Sequence, residues 1–245
     1  MRFDMLTLFP AMMEAYFDDS IMARAVEGGL LEVHYTNYRD YSTDKHHHVD
    51  DSPFGGGAGM VLKPEPLFAA VRDVAAASAV PAERRHILIM DPAGAVFTQK
   101  KAKELATYDQ LIFICGHYEG YDARITDYLA DEALSIGDYV LTGGELPAMV
   151  IADAVARMIP RVLGAADSAA TDSFYAGLLE YPQYTRPREF EGHEVPEVLL
   201  SGDHQRIARW RRQQQLERTL ARRPDLLASA PLTDEDRRYL DRLKK

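Results

Sequence analysis

The 245-residue chain is 47% hydrophobic and 27% charged, an ordinary globular balance with length enough to bury a sizeable core. No apolar run approaches the roughly eighteen residues that span a bilayer, and Met1–Pro10 is too short in apolar residues, with Asp4 inside it, for a secretory signal; a cytoplasmic protein with no membrane segment is expected. Cys115 is the only cysteine, which excludes an intrachain disulfide, and a net charge of −10 gives no overall attraction to nucleic acid.

Strand and helix signals alternate through the first half. Phe3 to Leu8 predicts a strand, and Pro10 opens a helix to about Val26, stopped by Gly28-Gly29. Leu30 to Thr36 is a second strand. His86 to Met90 and Leu111 to Cys115 are short apolar runs, as expected of strands covered on both faces. Between them Thr98 caps a helix to about Tyr108. Asp138 to Thr142 is β-branched and aromatic and predicts one more strand; Pro147 then suits the first turn of a helix to Ile159. Met149, Ala152, Val155 and Ile159 share one face of that helix, the expected buried stripe.

From Arg161 to Pro187 the periodicity disappears into small, polar and breaker residues, which predicts a linker or mobile loop. A helix from about Asp203 to Arg222 follows, with Ser201 as cap and Pro224 as stop. Thr233 and Asp236 form a capping-box pattern for a last helix to about Leu243. The first of these helices is dense in cations: seven arginines stand between His204 and Arg223 against Glu217 alone, beside Trp210. That segment holds a phosphate backbone or pairs with acidic neighbours, and charge alone does not decide.

The expected class is α/β with a mostly parallel sheet and a small helical C-terminal module. Ligands of such sheets sit at the carboxyl ends of the strands. Three glycine-bearing turns fall there: Asp91-Pro92-Ala93-Gly94, Gly116-His117-Tyr118-Glu119-Gly120, and Gly137 to Gly144. Bare backbone on each would let a small cofactor approach closely. The familiar phosphate-binding patterns are missing. Gly55-Gly56-Gly57-Ala58-Gly59-Met60 has methionine where a dinucleotide loop needs its third glycine, and no Walker lysine follows. His46-His47-His48 lacks the spacing of a metal pair, and Cys115, at the end of an apolar strand, reads as an inert thiol. Asp172 lies in the linker and becomes a candidate base if that segment closes over a substrate; Arg157 at the end of the Pro147 helix has a surface ion pair as its plain alternative.

Taken in order, Leu8-Phe9-Pro10, Asp50 through Met60, Gly116 through Gly120, Ser135 through Met149, Ile159 through Gly164, Asp172-Ser173-Phe174, Tyr184 through Pro187, Val198 through Gly202 and Arg222-Arg223-Pro224 resemble the bacterial tRNA (guanine-N1)-methyltransferases, the TrmD family. The resemblance covers nearly the whole chain. It implies a deep trefoil knot of the SPOUT class, a rare exception to unknotted topology, and a homodimer whose active sites draw on both subunits. Three parts are implied: 1–160 as the catalytic domain, 161–187 as a linker carrying the base, and 188–245 as the tRNA-binding domain.

By position, the cofactor loops for S-adenosylmethionine contain Met90, Pro92, Gly116, Tyr118, Glu119, Gly120, Ile136, Gly137, Asp138, Tyr139, Val140, Leu141, Gly143, Gly144 and Pro147. Asp172 matches the family's proposed base and Arg157 its catalytic arginine. The implied substrate is the guanine at tRNA position 37, preceded by another guanine, and magnesium dependence is implied without a site. The linker is expected to order only when tRNA and cofactor are both bound. His117 departs from the arginine of many members. The competing readings are a knotted methyltransferase acting on another RNA nucleoside and a non-catalytic RNA-binding protein. Asp172-Ser173-Phe174 speaks against the first, and the intact cofactor loops against the second.

Overall fold

The computed structural model describes residues 1–164 and 171–243. The chain divides into two compact units, Met1–Ala166 and Asp167–Lys245.

The first unit is a five-stranded sheet in the order β2-β1-β6-β5-β7, every neighbouring pair parallel. Its strands are β1 (Arg2–Thr7), β2 (Glu32–Asn37), β5 (Arg85–Val96), β6 (Gln110–Ile114) and β7 (Glu132–Ser135). A two-stranded antiparallel pair, β3 (Asp50–Asp51) and β4 (Val61–Leu62), stands apart. Alternate residues of the central strands face two cores. Phe3, Met5, Leu88, Met90, Leu111 and Phe113 pack in one, together with α1 (Pro10–Phe17), α2 (Ser20–Glu27), α4 (Gln99–Leu105) and α6 (Glu145–Ala156). Leu6, Ile89, Ile112 and Ile114 pack in the other, with α3 (Pro64–Ala76) and Ile125 of α5 (Arg124–Tyr128). The period of two with both faces covered explains why these strands are almost wholly apolar. The stripe expected on the Pro147 helix is inside: Met149, Ala152 and Val155 are buried and Ile159 packs on the same core.

Several boundaries differ from the sequence reading, each for a local reason. The helix from Pro10 is two helices, because Ser20 takes φ +55° and the Asp19 carboxylate accepts its N–H at 2.6 Å, starting a new helix. β5 runs past Met90 to Val96, its pairing with β7 slipping between Met90 and Ala95, where Asp91–Gly94 bulge outward. Residues Asp138 to Thr142 are not a strand. The chain turns away after β7, the sheet's edge, with the Tyr139 N–H donating to the Gly137 carbonyl at 2.9 Å. Tyr139 and Val140 are 55% and 81% exposed, so the β-branched run is spent on a loop. α6 begins at Glu145, with Pro147 in its first turn.

In the second unit α7 (His204–Arg222) and α8 (Asp234–Leu243) pack over a small core of Leu178, Leu216, Ala230 and Leu240. Asp203 rather than Ser201 caps α7, accepting from the N–H groups of Gln205 and Arg206 at 3.1 and 3.0 Å. The capping box of α8 forms as expected. Asp236 accepts the Thr233 N–H at 2.9 Å, and the Thr233 hydroxyl accepts the Asp236 N–H at 3.1 Å. Of the segment expected as a linker, residues 165–170 lie outside the described residues. Its later part is tied down: Leu178 is buried and the Leu179 N–H donates to Thr219 Oγ1 at 3.0 Å.

Candidate active site

At the carboxyl ends of β5, β6 and β7 lies a cavity of about 450 Å³. The bulge in β5 supplies Met90, Asp91 and Pro92. The turn after β6 supplies Gly116 through Tyr121. The segment after β7 supplies Ile136, Gly137 and Tyr139 through Gly144, and α6 supplies Pro147. The three glycine-bearing turns marked in the sequence therefore meet at one site, as expected of an α/β sheet. Every proposed cofactor residue borders the cavity except Asp138.

The walls are close-set. A side chain at Gly144 would start 2.7 Å from the Cys115 Cα and 2.8 Å from the Gly116 N, backbone atoms that cannot yield. Gly137 takes φ +149°, a conformation other residues rarely adopt, and its N–H donates to Ser135 Oγ. The glycine-rich 55–59 loop is anchored rather than detached. The Glu119 N–H donates to the Met60 carbonyl at 3.1 Å and the Leu62 N–H to the Gly120 carbonyl at 3.0 Å.

Sequence reasoning missed several groups. Asp91 accepts from the Tyr121 hydroxyl and from the Ala93 N–H, joining the β5 bulge to the turn after β6. Burial first, and then that bond, push the Tyr121 hydroxyl far above its ordinary range, so it stays a protonated donor. The signal for Asp91 was present in its turn, but nothing local announced its partner thirty residues on. Cys115 is fully buried, and burial followed by the nearby Glu145 pushes its thiol well up, which makes it inert. Among the described residues no three His, Cys, Asp or Glu side chains are grouped to hold a metal ion, and His46–His48 are exposed.

Comparison with known proteins fixes the family. Residues 1–229 match the family described as tRNA (Guanine-1)-methyltransferase TrmD. A curated tRNA (guanine-N(1)-)-methyltransferase of Moorella thermoacetica is 58% identical over 245 residues, covering 100% of this chain and 97% of the relative. That of Halalkalibacterium halodurans is 56% identical, covering 100% and 98%, and that of Geobacillus kaustophilus is 54% identical, covering 100% and 99%. The chain belongs to the TrmD family of tRNA methyltransferases.

Enzymes of this family take their methyl group from S-adenosylmethionine, and the residues present fit that group. The cavity is of ordinary ligand size, it is lined by bare backbone and by apolar surface from Met90, Ile136, Leu141 and Pro147, and Gly144 lies so close on the Cys115 and Gly116 backbone that no side chain fits there. No helix among the described residues is long and apolar enough to cross a membrane. Arg157 sits half-buried as the C-cap of α6, where a cation complements the helix dipole. Asp172 is half-buried in the second unit, its carbonyl accepting from the Tyr175 N–H at 3.3 Å. On α7, Arg206, Arg209 and Arg211 are exposed, the last stacked over Tyr181 at 4.8 Å. Arg212 and Arg223 are instead taken by Asp236 and Asp225, so pairing with acidic neighbours holds for these two.

Proposed function

We propose that this protein methylates N1 of the guanine at position 37 of tRNA, using S-adenosylmethionine held in a bent form across the three turns. The convergence of those turns on one cavity carries the reading. The cofactor supplies, when bound, an electrophilic sulfonium methyl. Guanine N1 bears a proton at neutral pH and becomes a nucleophile only when that proton leaves. Asp172, by its family position, accepts it. Charge then gathers on O6, and Arg157 balances it. The bare walls of the cavity hold the cofactor in register with N1, which supplies much of the rate. A flipped-out base read on its Watson–Crick edge suits attack at N1.

In this reading residues 1–160 form the catalytic domain, 161–187 carry the base, and 188–245 grip the anticodon arm through the exposed arginines and Trp210. The trefoil knot would run through the segment from β5 to α6. A homodimer is supported by apolar residues left exposed on α1 and α6: Met12, Leu146 and Val150 are each 45–49% exposed, with Phe9 and Tyr16 beside them. A second copy of the chain is the natural cover for such a face. Among the described residues no group of three or more His, Cys, Asp and Glu side chains forms a cage for magnesium. The cytoplasm, where tRNA is found, is the proposed location.

The deciding experiment transfers labelled methyl to two transcripts, one with guanine and one with adenine at position 37, followed by nucleoside mass spectrometry. One-methylguanosine from the first alone is expected. Methyl at another nucleoside would favour a different RNA target, cofactor binding with no transfer would leave the RNA target open, and no cofactor binding would favour a non-catalytic RNA-binding protein.

A further inference from the structure

Glu145 opens α6 and is only 2% exposed, which a carboxylate tolerates only with partners around it. Three are present. The Thr7 hydroxyl donates to Oε1 at 2.7 Å, His117 Nε2 lies 3.2 Å from Oε2, and the free N–H groups of the α6 N-terminus favour negative charge. The chain continues outward: Thr7 Oγ1 accepts the Phe9 N–H at 2.9 Å, and the Phe9 ring packs on His117 with centroids 4.9 Å apart. His117 borders the cavity. Gly143 lies over the bridge, and a Cβ there would stand 2.4 Å from His117 Nε2 and 2.5 Å from Glu145 Oε2.

We propose that Glu145 is a positioning residue of the cofactor cavity: through Thr7 and His117 it locks the turn after β6 to the Gly143-Gly144 turn, and Gly143 is glycine because the bridge fills the space a side chain would take. The inference rests on the methyltransferase reading and deepens it. Its chemistry is specific. Nε2 of His117 stands at ion-pair distance from the carboxylate, 3.2 Å, and a carboxylate only accepts, so the proposal requires that His117 carry a hydrogen on Nε2. An arginine guanidinium also donates and is able to serve the same Glu. The role of His117 is thus that of a donor to a buried carboxylate beside the cavity.

The test combines calorimetry of S-adenosylmethionine binding with nitrogen NMR of the His117 ring, on E145Q, H117A and H117R. Loss of a charge-assisted contact predicts a Kd raised about tenfold in E145Q and H117A, while KM for tRNA moves less than about threefold. In E145Q the amide presents a donor to the ring, and the Nε2–H preference should be lost. H117R should recover most of the affinity that H117A loses. Cofactor affinity within about twofold of wild type in both E145Q and H117A overturns the proposal, as does lost affinity in E145Q with the ring tautomer unchanged. Should E145Q fail to fold, H117A decides, since that side chain is 23% exposed. Wild-type protein that does not bind the cofactor overturns the methyltransferase reading and this role with it; normal wild-type binding with unaffected variants overturns this role alone.

Discussion

The cavity of the first unit is walled by loops whose glycines leave backbone against backbone, over two cores that cover both faces of a five-stranded sheet. The second unit exposes Arg206, Arg209 and Arg211 on α7, above a core centred on four buried side chains. A site of the first kind works by shape, and one added methyl group that forces its wall to move can disturb it. A site of the second kind works by summed charge, and any one arginine can be spared. The difference predicts where single substitutions should be catastrophic and where they should be graded.

The largest effect belongs to the chemistry itself. Asp172→Asn keeps size and removes the proposed proton acceptor, so kcat should fall about 10³-fold with cofactor affinity unchanged. Methyl transfer to the guanine-37 transcript at saturating cofactor measures it, and a fall under threefold would remove Asp172 as the base. Next comes the wall. Gly144→Ala places a Cβ 2.7 Å from the Cys115 Cα, and strain of that kind costs about 1–3 kcal/mol. Cofactor affinity should drop about tenfold or more, with a lower melting temperature. An alanine variant that binds normally would show that the wall moves, and the contrast between shape and charge would weaken.

How far the sequence displays these two sites follows the same divide. The three turns were legible because glycine after a buried apolar strand is a local signal, and α/β topology then gathers such turns at one edge. The run Asp138 to Thr142 reads as a strand because β-branched content reports side-chain preference and says nothing of a ladder partner, and the run pairs with no strand of the sheet. The break between α1 and α2 was hidden because Ser20, not glycine, takes the left-handed conformation. Glu145 gave no signal at all, since its partner Thr7 lies 138 residues away in sequence. Arginine density on α7 was plain, but which arginines are free for a ligand depended on Asp225 and Asp236, one beside the helix end and one beyond a turn.

The second unit has one point where loss should be abrupt. Burial pushes the Asp236 carboxyl up, but the Arg212 guanidinium at 2.8 Å and two Thr233 hydrogen bonds outweigh it and hold it below the usual carboxylate range. A carboxyl depressed on folding contributes fully above its unfolded value, about 3.9, and the contribution disappears as pH falls through the folded value. Asp236→Ala removes the cap and leaves Arg212 without its partner, costing about 2 kcal/mol at pH 7. Below about pH 4 the gap between variant and wild type should narrow. Thermal melts followed at Trp210 across pH 3 to 7 would show it; a constant gap would mean that Asp236 acts only through packing.

The smallest effects should come from the exposed arginines, and their pattern sharpens the comparison most. Arg206→Ala and Arg209→Ala should each raise KM for tRNA only a few-fold, lower the slope of log affinity against log salt by about one, and leave cofactor affinity alone. Arg212→Ala should do the opposite. Its guanidinium is spent on Asp236, so the variant should melt earlier while the salt slope stays near wild type. If Arg212→Ala instead flattens the salt dependence as Arg209→Ala does, the internal pair opens to meet the RNA, and the arginines of α7 act as one phosphate-binding surface rather than as two separate sets.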